Sequence, residues 1–171
     1  MKQSLLLVMV LAMVGCSEKP QKHSLEERAE GGDAEAQSLL GVSYMAKQDF
    51  KEAVKWYRKA AEQGDVDAQL GLGDFYERGR GVEQDFKEAA KWYRKAAVQG
   101  DSHAQWLLGV MYSKGEGVKQ DFKEAIKWHR KAAEQGISDS QFVLGEMYYI
   151  GKEVEQDFKE AVKWYRKAAD Q

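Results

Sequence analysis

The pattern of apolar and polar residues repeats with helical spacing over most of this chain. A leucine is followed four positions later by a tyrosine in four similar segments, at Leu40/Tyr44, Leu72/Tyr76, Leu108/Tyr112 and Leu144/Tyr148. Because an α-helix turns once in about 3.6 residues, each leucine shares a helix face with its tyrosine. The pattern therefore predicts four copies of one helix, which we call helix A.

A second recurring segment follows each helix A, and we call it helix B. Its copies are KEAVKWYRKAAEQG, KEAAKWYRKAAVQG, KEAIKWHRKAAEQG and KEAVKWYRKAAD, and their tryptophans are Trp56, Trp92, Trp128 and Trp164. These tryptophans are 36 residues apart. Such a period is typical of solenoids, in which each unit packs on its neighbours. We therefore expect the tryptophans to be buried between helices, and Trp164, in the uncapped last helix, to matter less.

Capping residues indicate where the helices begin and end. An aspartate precedes each helix B, at Asp49, Asp85, Asp121 and Asp157, and a glutamate follows three positions later. This spacing resembles a capping box, in which the aspartate accepts from a backbone amide and the glutamate reaches back to the cap. Helix B is predicted to end at Gly64, Gly100 and Gly136, since glycine adopts the left-handed turn readily.

A glycine lies in the middle of each helix A, where it costs about 1 kcal/mol relative to alanine. The four positions are Gly41, Gly73, Gly109 and Gly145. Their recurrence predicts a neighbouring helix too close for a side chain. Small residues of helix B are expected at the same contact: Ala53, Ala89, Ala125 and Ala161.

The recurring pattern is A-Q-x-x-L-G-x-x-Y, then a glycine-rich loop, then D-F-K-E-A-x-K-W-Y-R-K-A-A-x-Q-G. It resembles the SEL-one-like repeat, a relative of the tetratricopeptide repeat. The resemblance covers four units, 33–64, 65–100, 101–136 and 137–171. It implies an all-α fold, a right-handed α-solenoid of four stacked helix pairs. Residues 24–31, with a capping box at Ser24 and Glu27, are predicted to form a short N-terminal capping helix. Two residues depart from the repeat: His129 replaces tyrosine and Ser140 replaces alanine.

The start of the chain, MKQSLLLVMVLAMVGCSEKP, combines a basic residue with an apolar run too short to span a membrane. Residues 1–15 are therefore predicted to be a signal peptide. Gly15 and Cys16 resemble the lipobox of bacterial lipoproteins, although Met13 departs from it, and the resemblance implies lipid attachment at Cys16. Residues 16–23 would form a polar tether. Ser17 implies the periplasmic face of the outer membrane where the cell has two membranes. An ordinary signal peptide cut near a cysteine is the alternative.

Charge and composition exclude some functions. The formal net charge is -2, which gives no electrostatic reason to expect nucleic acid as a partner. His23, His103 and His129 lack the spacing of metal ligands. The sequence also contains no phosphate-binding loop and no nucleophile elbow. We therefore predict no catalytic residue, no metal and no cofactor.

A weaker alternative is a β-lactamase-like hydrolase. Some exported, cysteine-rich relatives of this repeat family have been described as β-lactamases. No serine here has a lysine three residues later, however, and the paired cysteines of those relatives are absent.

Alignment with tetratricopeptide repeats implies a concave groove lined by the A helices, which holds a peptide or a partner surface. Its positions would be Asp67, Leu70, Asp74 and Glu77, then His103, Trp106, Val110 and Ser113, and finally Asp139, Phe142, Glu146 and Tyr149. Large aromatic residues in a partly exposed groove are typical binding anchors, and Trp106 lies outside the repeated segment. Carboxylates beside it favour a partner with Lys or Arg next to an apolar residue. The alternative is that Trp106 and Phe142 merely fill space between A helices.

These features predict a non-catalytic interaction module, exported to the bacterial cell envelope and anchored by lipid, whose partner is an unknown protein or peptide. Self-association through the uncapped last helix B is the alternative. Lys55, Arg58 and Lys59 of helix B are predicted to belong to a solvated face rather than to a patch for anionic lipid.

Overall fold

The computed structural model describes residues 24–151 and 153–170. The predicted signal peptide, the tether and Cys16 lie outside these residues. Within them the chain forms nine helices: α1 (Leu25–Glu30), α2 (Ala34–Ala46), α3 (Phe50–Glu62), α4 (Val66–Arg78), α5 (Phe86–Val98), α6 (Ser102–Lys114), α7 (Phe122–Glu134), α8 (Ser138–Ile150) and α9 (Phe158–Ala169). None of the described helices is long and apolar enough to cross a membrane.

The helices stack as an all-α solenoid of four pairs, as the 36-residue period predicts. Helix A of each repeat (α2, α4, α6 or α8) packs on helix B of the same repeat (α3, α5, α7 or α9). Each of α4, α6 and α8 also packs on helix B of the preceding repeat, and α2 packs on the short α1. The core is therefore a series of clusters along the stack.

The aspartate caps are present, whereas the glutamates of helix B have another role. Asp49 accepts from the backbone amide of Glu52, and Asp85, Asp121 and Asp157 make the equivalent bond in their own repeats. The glutamate side chains pair instead with a lysine one turn along, as Glu124 does with Lys127 at 3.1 Å. The full reciprocal capping box occurs at α1, between Ser24 and Glu27.

The mid-helix glycines accommodate an aromatic ring rather than a helix backbone. A β-carbon on Gly73 would lie 2.4 Å from the ring of Tyr93, and one on Gly109 would lie 2.9 Å from the ring of His129. Gly41 and Gly145 face Tyr57 and Tyr165 in the same way. A close contact at each glycine was therefore predicted correctly. The group that contacts the glycine, however, is the side chain that follows the repeat tryptophan in helix B.

Buried glutamines connect successive repeats. The side-chain amides of Gln37, Gln69, Gln105 and Gln141 donate to the carbonyls of Ala29, Ala61, Ala97 and Ala133, at 2.9–3.1 Å. Gln99 then donates to the side-chain oxygen of Gln69 at 2.9 Å, and Gln135 does the same to Gln105. Because Ala29 takes the place of Ala61, α1 substitutes for the end of a helix B.

The repeat tryptophans pack toward the N-terminus. Trp92, Trp128 and Trp164 are buried, each among residues of its own helix A and of the preceding helix B. Trp56 is half-buried, because the element before it is the six-residue α1. The prediction that Trp164 matters less than Trp92 finds no support in the packing, since the two residues are 5% and 4% exposed.

Candidate protein-binding groove

Helices α4 and α6 form the walls of a cavity of about 680 Å³, which we call the groove. Seven of the predicted residues line it: Asp67, Leu70, Asp74, Glu77, His103, Trp106 and Val110. They come together because equivalent positions of adjacent A helices face the same side of the stack. Met45 and Lys114 lie at its edges.

The predicted residues of repeat four lie outside the groove. Phe142 packs against the ring of Tyr165, with centroids 5.5 Å apart, and Tyr149 packs against Phe158 at 5.4 Å. Both rings remain more than half exposed. Asp139 is exposed, and Glu146 lines a second, smaller cavity. The groove therefore includes all four predicted positions of repeat two and three of the four in repeat three, whereas Ser113 and Glu146 line the second cavity.

Trp106 is half-buried and forms the centre of the apolar wall. The ring of His103 meets it edge to face, with centroids 6.0 Å apart. Leu70 of α4 and Leu107 of α6 add aliphatic surface to the same cavity. An aromatic ring that is held on one side and open on the other suits contact with an apolar side chain.

Basic side chains neutralise part of the negative charge in the groove. Asp74 pairs with both Arg78 and Arg80. Glu77 accepts a hydrogen bond from the hydroxyl of Tyr93 at 2.5 Å. Burial raises the pKa of that phenol, and Glu77 raises it further, so the proton stays on Tyr93. Asp67 and Glu77 remain as groove carboxylates without a described ion pair.

Neither arginine is predicted from the sequence as a groove residue. Arg78 lies one helical turn after Asp74, a spacing that could have predicted the ion pair. Arg80 belongs to the loop after α4, and the sequence pattern does not indicate that this loop folds back over Asp74.

The basic residues of helix B are engaged in packing. Lys59 lies 3.9 Å from the centre of the Trp56 ring, and its counterparts cover the other repeat tryptophans. Arg58 hydrogen bonds to the hydroxyl of Tyr76, and Arg94 and Arg130 do the same to Tyr112 and Tyr148. The arginine–tyrosine bonds tie helix B of repeats one to three to the next helix A, which favours a structural role over a lipid-binding patch.

The second cavity lies among α6, α7 and α8 and has a volume of about 280 Å³; we call it the third-repeat cavity. It shares Val110 and Lys114 with the groove. Its other lining residues are Ser113, Phe122, His129, Val143, Glu146, Met147 and Ile150.

The family model of the Sel1 repeat matches the chain four times, over residues 34–65, 66–101, 102–137 and 138–171. The chain belongs to the Sel1 repeat family. Repeats of this family generally serve protein–protein contact.

Solved structures of other Sel1 repeat proteins share this fold. A protective antigen of uropathogenic Escherichia coli strains is 46% identical, with a TM-score of 0.82 over 86% of this chain and 32% of that one. A Sel1 repeat protein from Oxalobacter formigenes is 37% identical, with a TM-score of 0.80 over 85% of this chain and 62% of that one. This chain thus spans less than two thirds of either relative.

Among curated proteins, the DAP3-binding cell death enhancer 1 of Rattus norvegicus is 39% identical over 61 residues. The match includes 34% of this chain and 12% of the rat protein. The likeness therefore concerns only a part of each protein.

The two departures from the Sel1 pattern contact each other. His129 replaces tyrosine in α7, Ser140 replaces alanine in α8, and His129 Nδ1 lies 3.2 Å from the Ser140 hydroxyl oxygen. Both side chains are buried. Ser140 thus gives a hydrogen-bond partner to a polar ring whose burial without one would cost stability.

We predict that this pair makes the Sel1 repeats sensitive to acid. Burial lowers the pKa of His129 to about 4, from an ordinary value of 6.5. Because the pKa of His129 is lower in the folded state than in the unfolded state, the folded protein is fully stable only at a pH above the ordinary pKa of 6.5. Stability is lost as the pH falls from there toward the folded-state pKa of about 4. Between about pH 7 and pH 5 the free energy of unfolding should fall by about 2 kcal/mol, in addition to other titrations.

Urea unfolding at the two pH values measures this loss. The control is His129→Tyr combined with Ser140→Ala, which restores the residues of the other repeats. An equal loss in the control would assign the acid sensitivity to other groups, of which Lys114 and Glu146 line the same cavity.

Proposed function

We propose that this chain is a non-catalytic interaction module, exported and anchored by lipid, whose groove binds a segment of another protein. The observation that carries the proposal is the half-buried ring of Trp106 in the wall of a 680 Å³ cavity. The general role of Sel1 repeats in protein contact supports the same class of function.

The partner segment combines an apolar side chain with a basic one. Trp106, Leu70 and Leu107 offer the apolar contact. Asp67 and Glu77 offer negative charge nearby, while Asp74 is already paired with two arginines. A single Lys or Arg beside the apolar anchor therefore fits better than a strongly basic run.

Replacing Trp106 by alanine should weaken binding of such a segment by about 30-fold, as for other aromatic anchors. Peptides selected from a random display library against the full chain provide the ligand, and their affinities are measured for each variant. The selected peptides should share an apolar residue next to Lys or Arg. Phe142→Ala is the matched control, since Phe142 holds the equivalent position in α8 but lies outside the groove.

Helical content and melting temperature of both variants should stay near those of the unchanged protein. Unchanged affinity in Trp106→Ala would refute the groove as the binding site. Unfolding of Trp106→Ala would instead favour the alternative that this ring fills space between A helices. In intact cell envelopes, a photo-crosslinking residue at His103 should capture a partner, whereas one at the exposed Lys91 on helix B should not.

The anchoring part of the proposal rests on the sequence around Cys16. Cys16→Ala should abolish labelling by a radioactive fatty acid and move the protein from the membrane to the soluble fraction, because the thiol is the attachment point. Ser17→Ala is the control and should keep both properties. Continued sedimentation of the Cys16 variant with membranes would refute the anchor.

Self-association is the second candidate, and one observation favours it. On the last helix pair, Ile150, Phe158 and Val162 are 62%, 55% and 47% exposed. The corresponding helix B surfaces of earlier repeats pack on the next helix A. Sedimentation equilibrium should show a mass that increases with concentration, and Val162→Asp should abolish the increase. A constant monomer mass would reject this candidate.

A further inference from the structure

Helix α9 and its cap carry the same sequence as α3 and its cap. Residues 49–61 and 157–169 both read DFKEAVKWYRKAA. Helix α3 uses this sequence to pack against helix A of the next repeat, α4. Within the described residues no helix follows α9. The last helix pair therefore presents an uncovered surface that fits a helix A, as the inner repeats show.

The tyrosine of helix B shows the missing contact. A β-carbon on Gly41 would lie 3.0 Å from the Tyr57 ring, and one on Gly71 of the next repeat would lie 3.5 Å from it. The ring of Tyr57 is thus held between two A helices. Its counterpart Tyr165 meets Gly145 of its own repeat, but no next helix A covers it in the described part of the chain.

A hydrogen bond from an arginine to a tyrosine hydroxyl connects each helix B to the next helix A. The pairs are Arg58 with Tyr76, Arg94 with Tyr112 and Arg130 with Tyr148. This series leaves Arg166 at one end of the stack and Tyr44 at the other. Among residues 24–151 and 153–170, neither the guanidinium of Arg166 nor the hydroxyl of Tyr44 has a hydrogen-bond partner. The two ends of the molecule therefore complement each other.

Helix α1 imitates the end of a helix B. Gln37 donates to the carbonyl of Ala29 at 2.9 Å, as Gln69 donates to that of Ala61 at 3.1 Å. In this register the six residues of α1 correspond to the last six of the thirteen residues of α3. A helix this short is not stable alone, so α1 depends on its packing against α2.

Helix α1 covers its place incompletely. Leu39 of α2 lies where later A helices contact the tyrosine of the preceding helix B. Helix α1 offers the smaller Leu25 at that position, and Leu39 is 46% exposed. Glu26 takes the place of the arginine, so Tyr44 gains no such partner from α1. A complete helix B would cover this end of the stack better than α1 does.

We propose that a second copy of this chain stacks its α9 on α2 in the place of α1, so that the solenoid continues from one molecule into the next. Arg166 of one copy then bonds to Tyr44 of the other. The carbonyl of Ala169 accepts from Gln37, as Ala61 does from Gln69. Helix α1 is thus a displaceable cap that competes with the second copy. This inference rests on the second candidate function, self-association, and specifies both surfaces.

The joint between copies should be weaker than a joint inside the stack. The loop after α2 contains residues 47–49, whereas the loop after α4 contains residues 79–85. The longer loop reaches back to the preceding helix B, where Gly81 lies against the backbone of Phe50. The shorter loop leaves Phe158 of the other copy without this cover. Because α1 must also be displaced, we expect a dissociation constant of about 0.1 mM.

Two variants of the full chain, each altered at one end, test whether the ends are complementary. Val162→Asp alters the α9 surface and Leu39→Asp the α2 surface, and both residues are exposed, so the fold should tolerate the charge. In sedimentation velocity neither variant alone should associate, because the joint would bury an unpaired carboxylate. Their mixture should form a one-to-one dimer, which has one intact joint. Val98→Asp, at an exposed position in mid-stack, is the control and should associate like the unchanged protein.

Two further variants test the bond and the cap. Tyr44→Phe keeps the ring and should weaken association about tenfold, because Arg166 then lacks its acceptor. Leu25→Asp loosens α1 from its cluster and should strengthen association at least about fivefold, since more molecules are free to receive α9. Glu26→Gln, on the exposed side of α1, is the control and should change nothing. Circular dichroism and thermal melting check that each variant is folded.

The outcomes separate this inference from self-association in general. A head-to-tail joint adds copies without limit, so the unchanged protein should grow beyond a dimer. Association of Leu39→Asp by itself would mean that α9 pairs with α9, which overturns the inference and keeps self-association. A mixture that stays monomeric, or a Leu25→Asp variant that associates no better, would also overturn it. Monomers at every concentration in both the unchanged protein and Leu25→Asp would reject self-association as well.

Discussion

Replacing Trp92 by alanine is expected to lower the free energy of unfolding by about 3–5 kcal/mol, the usual cost of deleting a buried aromatic ring. Trp92 is 4% exposed and packs in a cluster with Ala61, Ala68 and Leu72. The deletion therefore removes contacts within its own repeat and contacts with the preceding helix B. Urea unfolding followed by circular dichroism measures the change.

Trp56→Ala is the matched control, because its ring is half-buried against α1 and α2. Its loss should be distinctly smaller. Trp164→Ala should resemble Trp92→Ala, since Trp164 is 5% exposed and packs with Ile126 and Leu144. A larger loss of unfolding free energy in Trp56→Ala than in Trp164→Ala would contradict the finding that each repeat tryptophan packs on the preceding repeat.

The helix pairs were predictable from the sequence because their signals are local. Aspartate caps, the four-residue spacing of Leu72 and Tyr76 and the recurring tryptophan each act within one or two turns. The direction in which Trp92 points is not local. It depends on whether the tryptophan of helix B faces the preceding repeat or the following one. The 36-residue spacing of the tryptophans is the same in both cases.

The groove was partly predictable for the same reason. Positions on adjacent A helices that share a register face one cavity, so Asp67 and Trp106 were expected together. The role of Arg80 depends on a loop path, and the contact between His129 and Ser140 depends on the packing of two helices. His129 and Ser140 stand out in the sequence as departures from the repeat, but the helical pattern alone does not show that they contact each other.

A second large effect is expected at Gly117 in the loop between α6 and α7. A β-carbon there would lie 2.0 Å from the carbonyl oxygen of Phe86, the first residue of α5. The glycine also has a φ of +69°, which costs other residues roughly 1–2 kcal/mol. Because the obstacle is backbone at the start of a helix, Gly117→Ala should destabilise the protein by about 4 kcal/mol in total.

The chain contains its own comparison for this position. Gly81 occupies the equivalent place in repeat two, whereas repeat four has Glu153, with a φ of +59°. Glu153→Gly should therefore raise the free energy of unfolding by about 0.5 kcal/mol, since strain is relieved at some cost in chain entropy.

Gly100→Ala separates backbone strain from the steric clash. Gly100 has a φ of +103° and nothing within 4 Å of the added β-carbon, so its loss should be about 1–2 kcal/mol. Urea unfolding of the three variants gives the ranking directly. A loss at Gly117 no larger than that at Gly100 would mean that the loop moves away from Phe86 without cost. In that case the close contact between successive repeats at this loop would not contribute to the stability of the stack.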